Sequence, residues 1–262
     1  MIKQIQTISD SALSLLSRSW RGKKMLSYWK AYGGSYDFCR FFYLEYETGT
    51  GYMLLINDTL LICTEQALPA DELILFIQMH LPFRIECPAF LLEPLSKISN
   101  YQKLRRTMFE LVPSALPDDF QETDVNFNPH LDDVYAILKE GFPNLLDYAI
   151  WLTDLSHRCR HGISHVLTYK SSTTVTILFD QNNDVLVGQV ATKRSARGSG
   201  YARTFLQWLA AWLQGFGKRA VLYALDIRTS FYQEIGFQEL EQEYVLERKD
   251  VEKDNVEKGA LQ

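Results

Sequence analysis

The stretch Arg197-Gly198-Ser199-Gly200-Tyr201-Ala202 constrains this chain more than any other. It falls where a strand-like apolar run, Val185-Leu186-Val187-Gly188-Gln189-Val190-Ala191, gives way to a helical pattern. Two glycines allow a tight turn that draws several main-chain N–H groups together. The first turn of the helix that follows adds N–H groups with no intrahelical acceptor, and the positive end of the helix dipole. A strand, a glycine turn and a helix start in that order predict a site for a phosphate or pyrophosphate. Arg197 adds a charge of matching sign and forked geometry, and Lys193, Arg194 and Arg203 crowd the same turn.

Two nucleotide motifs are set aside. The dinucleotide fingerprint needs a small third residue where this chain has Arg203. The triphosphate loop needs Gly-Lys-Ser/Thr, which Gly217-Lys218-Arg219 does not supply. Downstream of the turn, Tyr201, Phe205, Leu206, Leu209, Leu213 and Phe216 recur at helical spacing and predict one buried face over residues 201–216. A strand pattern, Ala220 to Leu225, follows. Then comes Ser230-Phe231-Tyr232-Gln233-Glu234-Ile235-Gly236-Phe237, a short helix closed by Gly236 and followed by a strand.

The glycine turn and the Phe231-Tyr232…Gly236-Phe237 segment, in this order and at this spacing, resemble the GNAT N-acetyltransferase superfamily. That family carries Arg/Gln-x-x-Gly-x-Gly/Ala after its fourth strand and Phe-Tyr-x-x-x-Gly-Phe in the helix after its fifth. The resemblance covers about residues 120–247. It implies an α/β chain of the α+β type, with a GNAT-like mixed, mostly antiparallel central sheet flanked by helices. A smaller α/β domain precedes it, for which a degenerate GNAT-like half is one form the pattern allows. The expected division is 1–116, 117–247 for the acetyltransferase domain, and a charged, disordered tail over 248–262.

The resemblance also implies a chemistry: transfer of an acetyl group from acetyl-CoA to a primary amine of a small molecule or peptide, by direct attack through a tetrahedral intermediate. Main-chain amides of Arg197, Gly198, Ser199, Gly200, Tyr201 and Ala202 would hold the pyrophosphate of coenzyme A. Val190, Ala191 and Thr192 would pair with its pantetheine arm as an added strand. An N–H near Val190 or Ala191 would face the oxyanion, and Tyr232 would return a proton to the thiolate. Arg228 stands where many members carry Asn, and would reach a coenzyme A phosphate. No carboxylate lies in the strand before the turn; Gln189 is there instead, with Asp226 and Glu234 the nearest acids downstream. Two other readings share the fold: a non-catalytic acyl-CoA binding module, and an aminoacyl transferase that uses charged tRNA. Homodimers occur in the family and are allowed here.

Composition narrows the partners. An apolar share of 47% supports a substantial core, while a net charge of −5 argues against a general nucleic-acid surface. No run approaches the roughly 18 apolar residues of a membrane span, and Met1-Ile-Lys-Gln-Ile-Gln-Thr lacks the apolar stretch of a signal peptide. A soluble, cytoplasmic protein is expected, without nucleic-acid or membrane partners. Cys39, Cys63, Cys87 and Cys159 are widely spaced and read mostly as small buried residues. His157, His161 and His165, near Cys159, lack zinc spacing and read as helix-end and loop residues, so no metal is expected.

Elsewhere the patterns predict a helix over residues 8–30 with Ser9 as N-cap, and strands over 38–46, 52–56 and 59–63 with a turn at Asn57-Asp58. A helix is expected over 71–80, strands over 89–92 and 108–112, and a linker over 113–128. Helices over 131–139 and 145–157 and strands over 165–169, 174–179 and 242–246 complete the outline. Thr48-Gly49-Thr50-Gly51-Tyr52 faintly echoes the glycine turn. It lacks an arginine and leads into a strand pattern, so it reads as a hairpin.

Overall fold

The computed structural model describes residues 1–142 and 144–249. The chain divides into two compact units, Met1–Arg106 with Glu243–Gln262, and Thr107–Gln242. The tail expected over 248–262 starts later than predicted, since Arg248 ends a strand and its N–H donates to Phe83 O at 2.8 Å, and from position 250 onward it lies outside the described residues.

The first unit runs β1 (Ile2–Ile5), α1 (Asp10–Leu16), α2 (Trp20–Tyr32), β2 (Cys39–Tyr46), β3 (Gly49–Ile56), β4 (Thr59–Thr64), α3 (Ala70–His80), β5 (Arg84–Glu86), α4 (Ala89–Ser96) and β6 (Tyr101–Glu110), whose end from Thr107 belongs to the second unit. The second runs β7 (Val125–Asn126), α5 (Leu131–Gly141), α6 (Tyr148–Arg160), β8 (His165–Tyr169), β9 (Thr173–Gln181), β10 (Asp184–Thr192), α7 (Tyr201–Gly215), β11 (Arg219–Leu225), α8 (Asp226–Glu234) and β12 (Gln238–Arg248), whose end from Glu243 belongs to the first. The order of strands and helices is the same in both.

Pairing repeats too. In the first unit β1 to β4 are antiparallel neighbours, and β4 and β5 are parallel. In the second, β7 to β10 are antiparallel neighbours, and β10 and β11 are parallel. The architecture is mixed α+β with mostly antiparallel pairing, as expected. Glu243–Arg248 completes the first unit, with Val245 opposite Glu86 and Leu246 opposite Ile85.

The second unit packs helices on both faces of its strands. Phe205, Leu206, Leu209 and Leu213 of α7 lie against Val175, Ile177, Val185, Val187 and Leu222. On the other face, Val134, Ile137, Leu138, Trp151 and Leu155 of α5 and α6 enclose Val166 and Ala191. Phe216 departs from the predicted face: α7 ends at Gly215, and Phe216 is 63% exposed.

Other local expectations change for physical reasons. The single helix over 8–30 is two helices, each with its own serine cap. Ser9 Oγ accepts from Ala12 N at 3.2 Å and Ser19 Oγ accepts from Gly22 N at 3.0 Å. Gly22 is required there, since a Cβ would sit 2.1 Å from the Leu16 carbonyl oxygen. The strand expected over 89–92 is part of α4, where Leu91, Leu92 and Leu95 are buried together; so short an apolar run fits either period. The strand expected over 108–112 is the end of the longer β6. The linker over 113–128 contains β7, which pairs Val125 with Tyr169. The Gly49 and Gly51 echo lies in the β2–β3 hairpin, as read.

Candidate functional site

The site is built where β10 leaves β11. Parallel pairing runs from Asp184 opposite Arg219 to Val187 opposite Leu222 and stops there. Both strands continue, β10 to Thr192 and β11 to Leu225. The register of β10 against β9 shifts between Gly188 and Ala191, which marks a bulge. Within it Gln189 has a φ of 50°, in the left-handed region. A bulge turns its strand, and here it accompanies the parting of β10 from β11.

A cleft of about 880 Å³ opens at the parting. One wall is Gly188 to Thr192 of β10; the other is Leu222 to Leu225 of β11, with Arg228, Phe231 and Tyr232 of α8. The glycine turn lies along its rim. Gly198 and Gly200 have φ of 83° and 76°, values that a side chain rarely tolerates. A Cβ at either would meet nothing within 4 Å, so the main chain is approachable from that side. Gly200 is the N-cap of α7 and no side chain caps the helix, so the orphan N–H groups of its first turn have no internal carboxylate or hydroxyl.

Most residues expected from the sequence therefore meet in one cleft: Val190, Ala191, Thr192, Arg197, Gly198, Gly200, Tyr201, Ala202, Arg228 and Tyr232 all line it. Ser199 is exposed in the turn and is not among the lining residues. Arg197 lies differently from a free anion-binding fork. Its Nη2 donates to Glu140 O at 2.9 Å and its Nε to Thr192 O at 3.3 Å. Glu140 in turn accepts from Arg194 N at 2.5 Å. Arg197 thus braces the turn against the end of α5 while bordering the cleft. Arg228 is exposed in the first turn of α8.

Tyr232 joins core and cleft. Only 8% exposed, it packs against Phe109, Phe231 and Phe237, with centroids 5.6, 5.2 and 6.4 Å away. Burial pushes its phenol up to about 12 despite the opposing pull of Arg228.

Sequence reasoning missed several neighbours. Glu140 lies 54 residues before Arg194 in the chain, so no local pattern announces that contact. Thr176, fully buried, donates to Gln189 Oε1 at 2.9 Å, and Thr173 and Thr192 hydroxyls meet at 3.0 Å. Gly141 and Phe142 at the end of α5 also line the cleft. Among the described residues no group of three or more His, Cys, Asp or Glu is arranged to hold a metal. No described helix is long and apolar enough to cross a membrane. Cys39, Cys63 and Cys87 are buried, and Cys159 is half-buried.

No family model and no curated protein matches the sequence. Solved structures do match the fold. A GCN5-related N-acetyltransferase from Sphaerobacter thermophilus is 15% identical with a TM-score of 0.57, the match covering 95% of each chain. A GNAT-family acetyltransferase from Colwellia psychrerythraea is 15% identical with a TM-score of 0.51, over 95% of this chain and all 100% of its own. A Drosophila protein is 11% identical with a TM-score of 0.62, over 95% of this chain and 98% of its own. At such identities the likeness is one of fold: this chain has the GNAT fold along almost its whole length.

Proposed function

We propose that the second unit is an N-acyltransferase that takes acetyl-CoA as co-substrate and acetylates a primary amine. One observation carries this: a parted strand edge and an uncapped, glycine-lined helix start open onto the same cleft. The residues fit the carrier. The rim offers main-chain N–H groups, open space above two glycines and nearby cations, which suits a diphosphate. The β10 edge past Val187 has no β11 partner and suits the amides of an extended arm.

Acetyl-CoA would supply an acyl carbonyl activated as a thioester. A main-chain N–H near Val190 or Ala191, at the β10 bulge, would donate toward that carbonyl oxygen as charge develops on it. A fixed donor of this kind is worth about 3 kcal/mol. Tyr232, protonated at any pH near neutral, can give its proton to the departing sulfur. Its phenol is a weaker acid than an exposed one, since burial raises it. Arg228 is free to meet a phosphate at the α8 end of the cleft, while Arg197 holds the turn in shape.

Calorimetric titration with acetyl-CoA, with free-thiol release measured over a panel of amines, tests the proposal. Binding with turnover supports it. Binding without turnover for any amine would favour a non-catalytic acyl-CoA module, and the absence of both heat and a melting shift would remove the carrier altogether.

A further inference from the structure

The cleft lacks the group that would ordinarily take a proton from an ammonium. Its charged lining residues are Arg197, Arg203 and Arg228, and its phenols are Tyr201, Tyr223 and Tyr232; among the described lining residues none is an aspartate, glutamate or histidine. Tyr232 stays protonated near neutral pH, because burial raises it. Glu234 lies near Arg203, at 3.7 Å, but not in the lining. An amine that arrives charged meets cations and no carboxylate.

The lining does hold one oriented amide. Gln189 sits in the β10 bulge in a left-handed conformation that a non-glycine residue keeps only where its surroundings impose it. Its Oε1 accepts the hydroxyl of the fully buried Thr176 at 2.9 Å. Gln189 lines the cleft, and with its oxygen engaged by Thr176 its NH2 is the donor it can offer there. A donor beside a nucleophile selects an acceptor that carries a hydrogen-bond-accepting oxygen next to its amine.

We propose that the acceptor is the α-amino group of an amino-acid amide or peptide, gripped through its neighbouring carbonyl oxygen by Gln189 Nε2. This deepens the N-acyltransferase reading and rests on it. Such an amine also answers the missing base. An α-amine titrates near 8, whereas a lysine side chain titrates near 10.4, so only the former is substantially neutral when it enters. Its lone pair adds to the thioester carbonyl, whose π pair moves to the oxygen, and the C–S bond breaks as that pair returns. The nitrogen loses its proton to water, and the sulfur leaves with one from Tyr232 or water.

The test compares glycylglycinamide with Nα-acetyl-lysinamide as acceptors in free-thiol release from acetyl-CoA across pH. At about pH 7.5 the dipeptide amide is expected to have a kcat/KM about 2000-fold higher, about 200-fold from the ratio of neutral amine fractions and about 10-fold from the Gln189 hydrogen bond. The rising limb of each profile should follow that acceptor's own amine. Gln189→Met should lower the preference about 10-fold and weaken calorimetric binding of glycylglycinamide to the coenzyme A complex. Thr176→Val should act likewise, and Thr176→Ser should restore the preference. Should Gln189→Met fail to fold, seen as a lost melting shift with coenzyme A, the Thr176 pair carries the test. Equal use of the lysine acceptor, a limb fixed for both acceptors, or a preference indifferent to these substitutions would overturn the assignment while leaving the acyltransferase reading intact. Absence of coenzyme A binding and of thiol release with every amine would overturn that reading and this assignment with it.

Discussion

The two units follow one plan of strands and helices and differ at the place where the plan opens. In the second, the parallel pair ends at Val187 and Leu222, and the helix after it starts with Tyr201-Ala202-Arg203 behind a glycine cap. In the first, the parallel pair ends at Leu61 and Glu86. Glu86, at the register place of Leu222, is buried and held by Lys24 and Arg106, each at 2.8 Å. Arg106 also pairs with Glu243, which Arg21 reaches at 2.8 Å. The helix that joins the paired strands, α3, starts behind Pro69 with Asp71 and Glu72 in its first turn, and Glu72 accepts from Ile2 N at 3.1 Å. One unit leaves its helix start bare and free of acids. The other puts Asp71 and Glu72, which repel a phosphate, in the first turn of its helix, and ends its parallel pair at a buried, ion-paired Glu86. A shared fold supplies a possible opening, and a few residues determine whether it stays open.

The largest expected effect lies in the first unit. Glu86→Ala takes its carboxylate from the partly buried Lys24 and leaves Arg106 with Glu243, and should cost about 3 kcal/mol in denaturant unfolding. Leu222→Ala, an apolar truncation at the same register place, should instead follow the pattern of a core cavity. The pH behaviour differs as well. Burial opposes ionisation of Glu86, but Arg106 and Lys24 overcome it and hold the carboxyl well below the usual range. Its contribution is therefore fully present above the unfolded value, near 4.3, and is lost only as pH falls through the lower folded value. Acid unfolding of Glu86→Gln should lose that dependence.

In the second unit, Gly200→Val forces a β-branched residue to a φ of 76° and points it over the rim. Calorimetry should find coenzyme A binding weakened more than 100-fold. Tyr232→Phe should lower thiol-release turnover about 100-fold if the phenol acts as general acid, with coenzyme A affinity kept; unchanged turnover would leave Tyr232 a core residue only. Ala202→Asp copies the acidic first turn of α3 onto α7 and should weaken binding about 10-fold, an effect that shrinks with added salt. An unaffected Ala202→Asp protein would break the comparison, because acids at the helix start would then explain nothing. The smallest effect is Ser19→Ala, which removes the α2 cap and should cost ~1 kcal/mol in thermal unfolding.

Much of the second unit was legible in the chain. The span of α7, the strand before it and the cap role of Gly236, whose φ is 87°, follow from local rules of period and turn. The first unit was harder to read. It carries the same plan without the glycine turn, and short elements such as β1 and β5, of four and three residues, have too few positions to show a period.

By itself the sequence determined where a glycine turn meets an amphipathic helix, because those features depend on residues a few positions apart. Tertiary structure alone decided that β10 parts from β11 after Val187, that Thr176 orients Gln189 across 13 residues, and that Arg197 spends its guanidinium on a carbonyl 57 residues away. It likewise decided that Arg106 finds Glu243 across 137 residues. Such contacts join segments that no local periodicity links, and they become specific only when the packed core brings those segments together.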